Sequence, residues 1–585
     1  MDAHNSNSNT ATAEKPTTQT LNGANIFLSC LAAEGVETVF GVPGGVILSI
    51  YEDLPNYPIN HILVRHEQGG AHMAQGYSRS TGKPGVVWAT SGPGATNLVT
   101  ALADAYYDST PLVAFTGNVP SFMLGNDAFQ EADIVGITRP VTKHNIIVHR
   151  AEDLPQAIKE AFHVATTGRP GPVLVDIPKD VLLATVDYEG GFNYDAVEID
   201  LPGYHNPETY TEADLDQILA LLKDAKKPVL LSGGGVINAD AHEEIRAFAE
   251  RFNLPVACSL MGLGGFPTQH EQSLGFCGMH GMYWANIAIA NADVLLIVGN
   301  RLSERQTGKA DRFARNAKIV HIDLDPSTLQ KNVEAFLPVQ GDIKGIFQRL
   351  IAKTEDMAPF AESMSTRPEW YAIIDGWKTR RQPEIFPEGM LSPKFVIDRI
   401  FHWLPKDGFV TTEVGQHQMW SAQSFNIDRP RSFVTSGGLG TMGFGFPAAI
   451  GVQAANPGKT VVDIAGDGSF QMTLQELAVA RDNKMGVKIA IINNGYLGMV
   501  RQWQDKTWNR ANESRMTSPD YVKLAEAYGG VGFVVEHPDE VDEVIQKAYA
   551  ITDRPVIIDF RVREKADVYP WVPAGGANED MLTED

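Results

Sequence analysis

Short runs of β-branched and aliphatic residues alternate with helix-like stretches along almost the whole chain, and that alternation limits the fold more than any other feature. One set is HILVRHE (61–67), GVVWATSG (85–92), PLVAFTG (111–117) and PVLVDIP (172–178). A second is PVLLSGGG (228–235), VLLIVGN (294–300) and KIVHIDLD (318–325). A third is FVTTEVG (409–415), TVVDIAGDG (460–468), KIAIINNG (488–495) and PVIIDFRV (555–562). Continuous apolar runs of this length suit strands covered on both faces. Strand then helix, repeated, predicts parallel α/β units and so an α/β chain of doubly wound parallel sheets. Many runs end at a glycine (Gly92, Gly117, Gly235, Gly299, Gly415, Gly466), and ligands of such sheets bind beyond those strand ends.

Two weak zones separate the sets. Residues 186–212 are acidic and rich in Gly, Pro and Tyr, and residues 352–392 carry charges and prolines but no strand-like run. The cuts predict three domains, at 21–185, 195–345 and 370–560, with tails at 1–20 and 561–585. A reading of the first and third as diverged copies stays open, although no internal repeat aligns. Residues 1–20 have neither the apolar segment of a secretory signal nor the arginines of a transit peptide, so they read as a disordered tail on a cytoplasmic protein.

Composition excludes several classes. No apolar run reaches the ~18 residues of a membrane helix. The net charge of −23 would repel a phosphate backbone, which argues against nucleic acid. Cys30, Cys258 and Cys277 are too scattered for a disulfide scaffold or a cysteine-only zinc site.

The strongest local signal is GDGSF (466–470) followed by NNG (493–495). Asp467 and Asn494 each end a strand, and one intervening helix would bring those ends side by side. They would supply hard oxygens to Mg²⁺, which takes few protein ligands and fills its shell with phosphate and water. Gly466 and Gly468 would let backbone amides approach a diphosphate. Taken singly, each turn is an ordinary Asp-Gly or Asn-Gly turn. Another pattern, Gly438-x-Gly440-x-x-Gly443 after a strand, imitates a dinucleotide fingerprint, and alone it is weak. His66, Glu67 and His72 do not make zinc ligands, because residues six apart on a helix do not share a face.

GDG followed by NN is the signature of thiamine-diphosphate enzymes, and the chain resembles that family. From about residue 21 onward it resembles the acetohydroxyacid synthase (acetolactate synthase) catalytic subunits. The segments that carry this are GVPGG (41–45), RHEQGGAHMAQGYSR (65–79), TSGPGATN (90–97), DAFQEADIVGITRPVTKHN (127–145) and RPGPVLVDIPKDV (169–181). Further on come LMGLGGFP (260–267), GMHG (278–281), VGQHQMW (414–420), SGGLGTMGFG (436–445) and GMVRQWQ (498–504).

The resemblance implies pyrimidine-binding, central and diphosphate-binding domains, in that order. It implies Tyr496 as a third metal ligand through its carbonyl. Glu67 becomes the acid at the cofactor's aminopyrimidine, contributed by the partner subunit. Met442 becomes the apolar wedge that bends the cofactor. Gly440, Gly466, Gly468, Ser469 and Met499, with Val414, Gly415, Gln416, His417 and Gln418, would cradle its diphosphate and aminopyrimidine. Gly45 and Gln130 would lie beside the reacting carbon. Phe129, Lys179, Met279 and Val500 would line the substrate approach. GMHG, with Met279 and His280, and the GNRLSER loop imply FAD in the central domain, with Arg301 near the flavin or its diphosphate and Arg305 at the active-site entrance. Trp503 would favour 2-ketobutyrate as second substrate. The sequence departs from the family pattern at LSERQTG (302–308), which stands in place of FDDR-VTG, and at Val42 and Val46, where tyrosine and alanine are usual.

The activity implied is decarboxylation of pyruvate and transfer of the hydroxyethyl (acetaldehyde) unit to pyruvate or 2-ketobutyrate. The products, 2-acetolactate and 2-aceto-2-hydroxybutyrate, feed branched-chain amino acid synthesis. A homodimer or tetramer with interfacial active sites, and a small regulatory subunit, are implied with it. Another thiamine-diphosphate carboligase or a pyruvate oxidase is the alternative within the class. A dehydrogenase built on the Gly438 fingerprint, or a non-catalytic binding module, is the alternative outside it.

Overall fold

The computed structural model describes residues 18–355, 367–379 and 389–584. Three six-stranded sheets, each wholly parallel, follow one another along the chain. The first uses strands Thr38–Gly41, Asn60–Leu63, Gly85–Ala89, Leu112–Asn118, His144–Ile147 and Pro172–Pro178. Numbered in that order, they lie side by side as 2-1-3-4-6-5. The third sheet (Phe409–Thr412, Phe433–Thr435, Val461–Gly466, Lys488–Asn493, Val531–Val535, Val556–Arg561) repeats that order. Its core strands are apolar on both faces, as the uninterrupted runs require.

The central sheet differs. Its strands Pro228–Ser232, Val256–Cys258, Ser273–Phe276, Val294–Val298, Lys318–Asp323 and Leu337–Gln340 lie in the order 3-2-1-4-5-6. That is the order of dinucleotide-binding sheets, whose ligand lies where the order reverses. Here the reversal falls between Pro228–Ser232 and Val294–Val298.

Domains one and three pack through two helices, Glu67–Thr81 and Gly445–Ala455. The contact needs glycine. A Cβ at Gly76 would lie 2.1 Å from the Ala448 carbonyl oxygen, and one at Gly451 would lie 1.8 Å from that of Met73. Backbone therefore meets backbone across this joint.

Two expectations about the chain ends need correction. Residues 1–17 of the expected tail lie outside the described residues, but Thr18–Asn22 form a strand antiparallel to Thr185–Glu189. Leu21, Val186 and Tyr188 pack that ribbon onto the first core, so the fold begins inside the stretch read as tail. After Arg561 the chain does not trail away. Val568, Trp571 and Val572 are buried, and the Val572 amide donates to the Met279 carbonyl at 3.0 Å. Apolar anchors widely spaced among charges hid this strap from a reading by periodicity. No helix among the described residues is long and apolar enough to cross a membrane.

Candidate active site

A cleft opens at the carboxyl ends of the third sheet. Its walls include Val414, Gly415, Gln416, His417, Met442, Gly466, Asp467, Gly468, Ser469, Asn494, Tyr496, Met499 and Val500. The sheet order explains the gathering. Phe409–Thr412 and Val461–Gly466 are the strands flanking the reversal, and Lys488–Asn493 is next to them. Three turns far apart in sequence thus meet at one edge.

Asp467 is almost fully buried, and burial pushes its carboxyl up to about 6. The Ser518 hydroxyl donates to it at 3.2 Å, and no basic side chain pairs with it among the described residues. A buried carboxylate without a counter-charge, grouped with the Asn494 amide oxygen and the Tyr496 carbonyl, suits a small divalent cation. Asn494 is held by its neighbours: its oxygen accepts from the Tyr496 amide at 3.1 Å, and its nitrogen donates to Gln416 Oε1 at 3.2 Å. His417 Nε2 is buried with no hydrogen-bond partner in the chain, and burial drives the ring pKa down to about 3. The neutral ring sets its Cε1–Nδ1 edge against the glycine turns and so lines the cleft. The ring has room because Gly415 and Gly466 lack side chains; a Cβ at either would lie 2.7 or 2.8 Å from it.

Two expected cofactor residues stand differently. Gln418 is not part of the cleft; its amide donates to Thr435 Oγ1 and to the Ser436 carbonyl, at 2.7 and 2.8 Å. It lies one residue past His417 on the helix Gln416–Ser424, about 100° further round. Gly440 lies beside the mouth, in the left-handed region at φ 76°, where a Cβ would lie 4.0 Å from Val414. The fingerprint around it is also spoken for: the amides of Gly437 and Gly438 donate to Asp108 at 2.9 and 2.6 Å, and the Gly440 amide donates to Ser436. Those groups therefore hold the first domain rather than a nucleotide.

The first-domain residues form a separate group. Glu67 opens the helix Glu67–Thr81, and Asn97 donates to its Oε2 at 2.9 Å. A Cβ on Gly94 would lie 3.3 Å from Glu67, one on Gly92 would meet Gln130, and one on Gly44 would meet Thr90. Gly45, Glu67 and Gln130 thus surround the turn 90–97, at the carboxyl ends of the first sheet. Phe129 and Lys179 stand exposed nearby, Lys179 at the start of the helix Lys179–Leu183. None of these five forms a wall of the third-domain cleft in the same chain. Asn97 was missed in the sequence, although TSGPGATN contains it.

The central domain contributes at two places. Met279, Arg305 and Trp503 meet: Arg305 donates to Met279 Sδ at 3.2 Å and lies over the indole. His280 is buried beside the Pro570 carbonyl, and burial pulls its pKa down to about 4. Arg301 lies elsewhere, over the Tyr107 ring and near Asp108 and Gly438. At the reversal of the central sheet, Ser232 Oγ and Asn300 Nδ2 are buried with no partner in the chain. Gly233 and Gly235 approach Gly299 so closely that a Cβ on either would clash with its backbone. Buried unpaired donors and a glycine turn at the switch point fit a dinucleotide such as FAD. The SGGG run after the first central strand was the available signal.

Family models agree with this layout. The thiamine pyrophosphate enzyme N-terminal TPP binding domain matches residues 21–137, the central domain 215–350, and the C-terminal TPP binding domain 413–560. The acetolactate synthase large subunit of Corynebacterium glutamicum is 48% identical over 570 residues, covering 96% of this chain and 90% of the relative. That of Haemophilus influenzae is 44% identical, covering 96% and 98%. The acetolactate synthase isozyme 3 large subunit of Escherichia coli is 43% identical with the same coverage. The chain belongs to the acetolactate synthase large subunits of the thiamine pyrophosphate enzyme family.

Proposed function

We propose that this chain joins two 2-ketoacids, pyruvate first and then pyruvate or 2-ketobutyrate, on thiamine diphosphate anchored through Mg²⁺ in the third-domain cleft. The observation that carries this is the buried Asp467 carboxylate, unpaired and grouped with Asn494 and the Tyr496 carbonyl under the glycine turn 466–468. Thiamine diphosphate, when bound, supplies the nucleophilic carbon and accepts the electrons released as CO₂ leaves. Asp467 and Asn494 would hold its diphosphate through the metal, with the His417 ring lining the glycine turns beside it. Met442 and Val414 wall the ring system. Glu67 holds a proton on its carboxyl for the aminopyrimidine, with Asn97 fixing the other oxygen. Gly45 and Gln130 offer donors to a developing oxyanion. Arg305, Trp503 and Met279 shape the acceptor's entrance.

Glu67 and Asp467 belong to separate groups of walls in one chain, so the reading requires two copies, each completing the other's site. Phe129, 88% exposed beside Gln130, is an apolar surface that a second copy would cover. FAD in the central sheet, and a small regulatory subunit of the kind the relatives' large-subunit names imply, complete the assembly. The reading places the protein in the cytoplasm.

The test is release of bound cofactors, identification by mass spectrometry, then incubation with pyruvate and product analysis. Thiamine diphosphate, FAD and 2-acetolactate are expected. Acetate or acetyl phosphate would favour an oxidase, and activity after chelation and cofactor removal would overturn the proposal.

A further inference from the structure

We propose that Glu476, in the third domain and outside every wall described above, is a positioning residue for Glu67: its buried carboxylate holds the junction from which Glu67 extends. The inference rests on the role proposed for Glu67.

Glu476 ends the turn Leu474–Glu476 and is fully buried. Its Oε2 accepts from the Arg65 amide at 3.1 Å, and the His66 amide faces the same carboxylate. Arg65 and His66 are the two residues before Glu67. The other oxygen, Oε1, has no hydrogen-bond partner and lies against the first turn of the helix Glu67–Thr81. A Cβ at Gly69 would lie 2.8 Å from it, so this approach depends on glycine there. A carboxylate at a helix amino end is also favoured by the helix dipole. The same turn also touches the wall of this chain's own cleft, where Thr473 Oγ1 donates to the Gly443 carbonyl, next to Met442, at 3.1 Å.

The charged groups around Glu476 are Arg65, which also pairs with Asp482, and Glu67. The His66 ring is turned to the Gln68 amide. Burial pushes the Glu476 carboxyl up to about 7, with Glu67 adding to the rise and the Arg65 amide and charge opposing it. The ionised carboxylate accepts from those amides more strongly than the neutral acid does. Ionisation near pH 7 therefore strengthens those hydrogen bonds at the junction, although the buried charge costs the fold stability. A contact that served only to glue two domains would change stability without giving Glu67's chemistry that pH dependence.

The experiment is hydrogen–deuterium exchange at the thiazolium carbon of the bound cofactor, followed by NMR from pH 6 to 8.5. Holoenzymes of wild type, Glu476→Gln, Glu476→Asp and Glu67→Gln are compared. Misplacing a reacting group by about 1 Å costs up to about 100-fold, so Glu476→Gln should exchange about 10- to 100-fold more slowly. Its cofactor affinity should be unchanged and its rise near pH 7 lost. Glu476→Asp should recover part of both. If Glu476→Gln does not fold, the same readout on Glu476→Asp decides. Slow Glu67→Gln beside wild-type rates and pH profile in the Glu476 variants overturns the positioning role alone. Wild-type exchange in Glu67→Gln overturns the reading of Glu67, and this inference with it.

Discussion

The guanidinium of Arg305 lies over the Trp503 ring, with its carbon 5.3 Å from the indole centroid. Trp571 meets the same indole edge-on, at 5.5 Å and 73°. A central-domain cation and an aromatic from the carboxyl-terminal strap thus hold the half-buried Trp503 in one orientation. Offset and edge-on aromatic pairs, and a cation over a ring, each contribute about 1 kcal/mol.

A rigid indole can select between acceptors that differ by one methylene. Burial of that methylene is worth about 0.8 kcal/mol, about fourfold. With equal pyruvate and 2-ketobutyrate, the wild type should make mainly 2-aceto-2-hydroxybutyrate. Trp503→Leu should lower the preference toward the burial value while pyruvate decarboxylation persists. Product ratios at several substrate ratios measure this, and an unchanged ratio would make Trp503 a packing residue.

Asp467→Ala should abolish activity and leave the apoprotein folded. Without Mg²⁺ and thiamine diphosphate it should melt at or above the wild-type temperature, because a buried unpaired carboxylate has been removed. Adding both at 100 times the dissociation constant should stabilise the wild type by about 2.7 kcal/mol and leave the variant unmoved. Thermal melts with and without the cofactors check both halves.

FAD should copurify, and its absorbance should stay constant during turnover. Ser232→Ala removes a buried hydroxyl that lacks a partner in the chain. One hydrogen bond is worth about 0.5–1.5 kcal/mol, so flavin affinity should fall about 2- to 12-fold while the apoprotein keeps its stability. Flavin retention on dialysis is the measurement. Unchanged retention would place the flavin elsewhere.

Glu413 lies beneath the cleft, accepting from the amides of Gly443 and Phe446 at 2.7 and 3.1 Å. Burial pushes it up to about 7, and Asp463 beside it is also raised, by burial and by Glu413. A carboxyl raised on folding stabilises fully below its unfolded pKa, and that contribution is lost as pH rises through the folded value. The apoprotein should therefore lose stability from about pH 5 to 8, by about 1.4 kcal/mol per pH unit for each proton linked. Glu413→Gln should flatten that decline, and melts across the range would show it. A profile identical to wild type would mean the pair does not titrate there.

Some of this was legible in the residues alone. Gly466, Asp467 and Asn494 announce themselves because a strand must end where its glycine turn begins, and that rule is local. The long core strands are legible for the same reason, as uninterrupted apolar runs. Short strands such as Val256–Cys258 and Phe433–Thr435 are not, because three residues carry no usable period. Side-chain direction and long-range pairing belong to the tertiary structure. It turned Gln418 away from the cleft, gave the amides of Gly437 and Gly438 to Asp108, separated Arg301 from Arg305, and brought Glu476 against Arg65. Each of those partnerships joins residues that local periodicity cannot relate. Those of Asp108 and Glu476 follow from packing the helices Glu67–Thr81 and Gly445–Ala455 backbone to backbone, which sets two domains in one register.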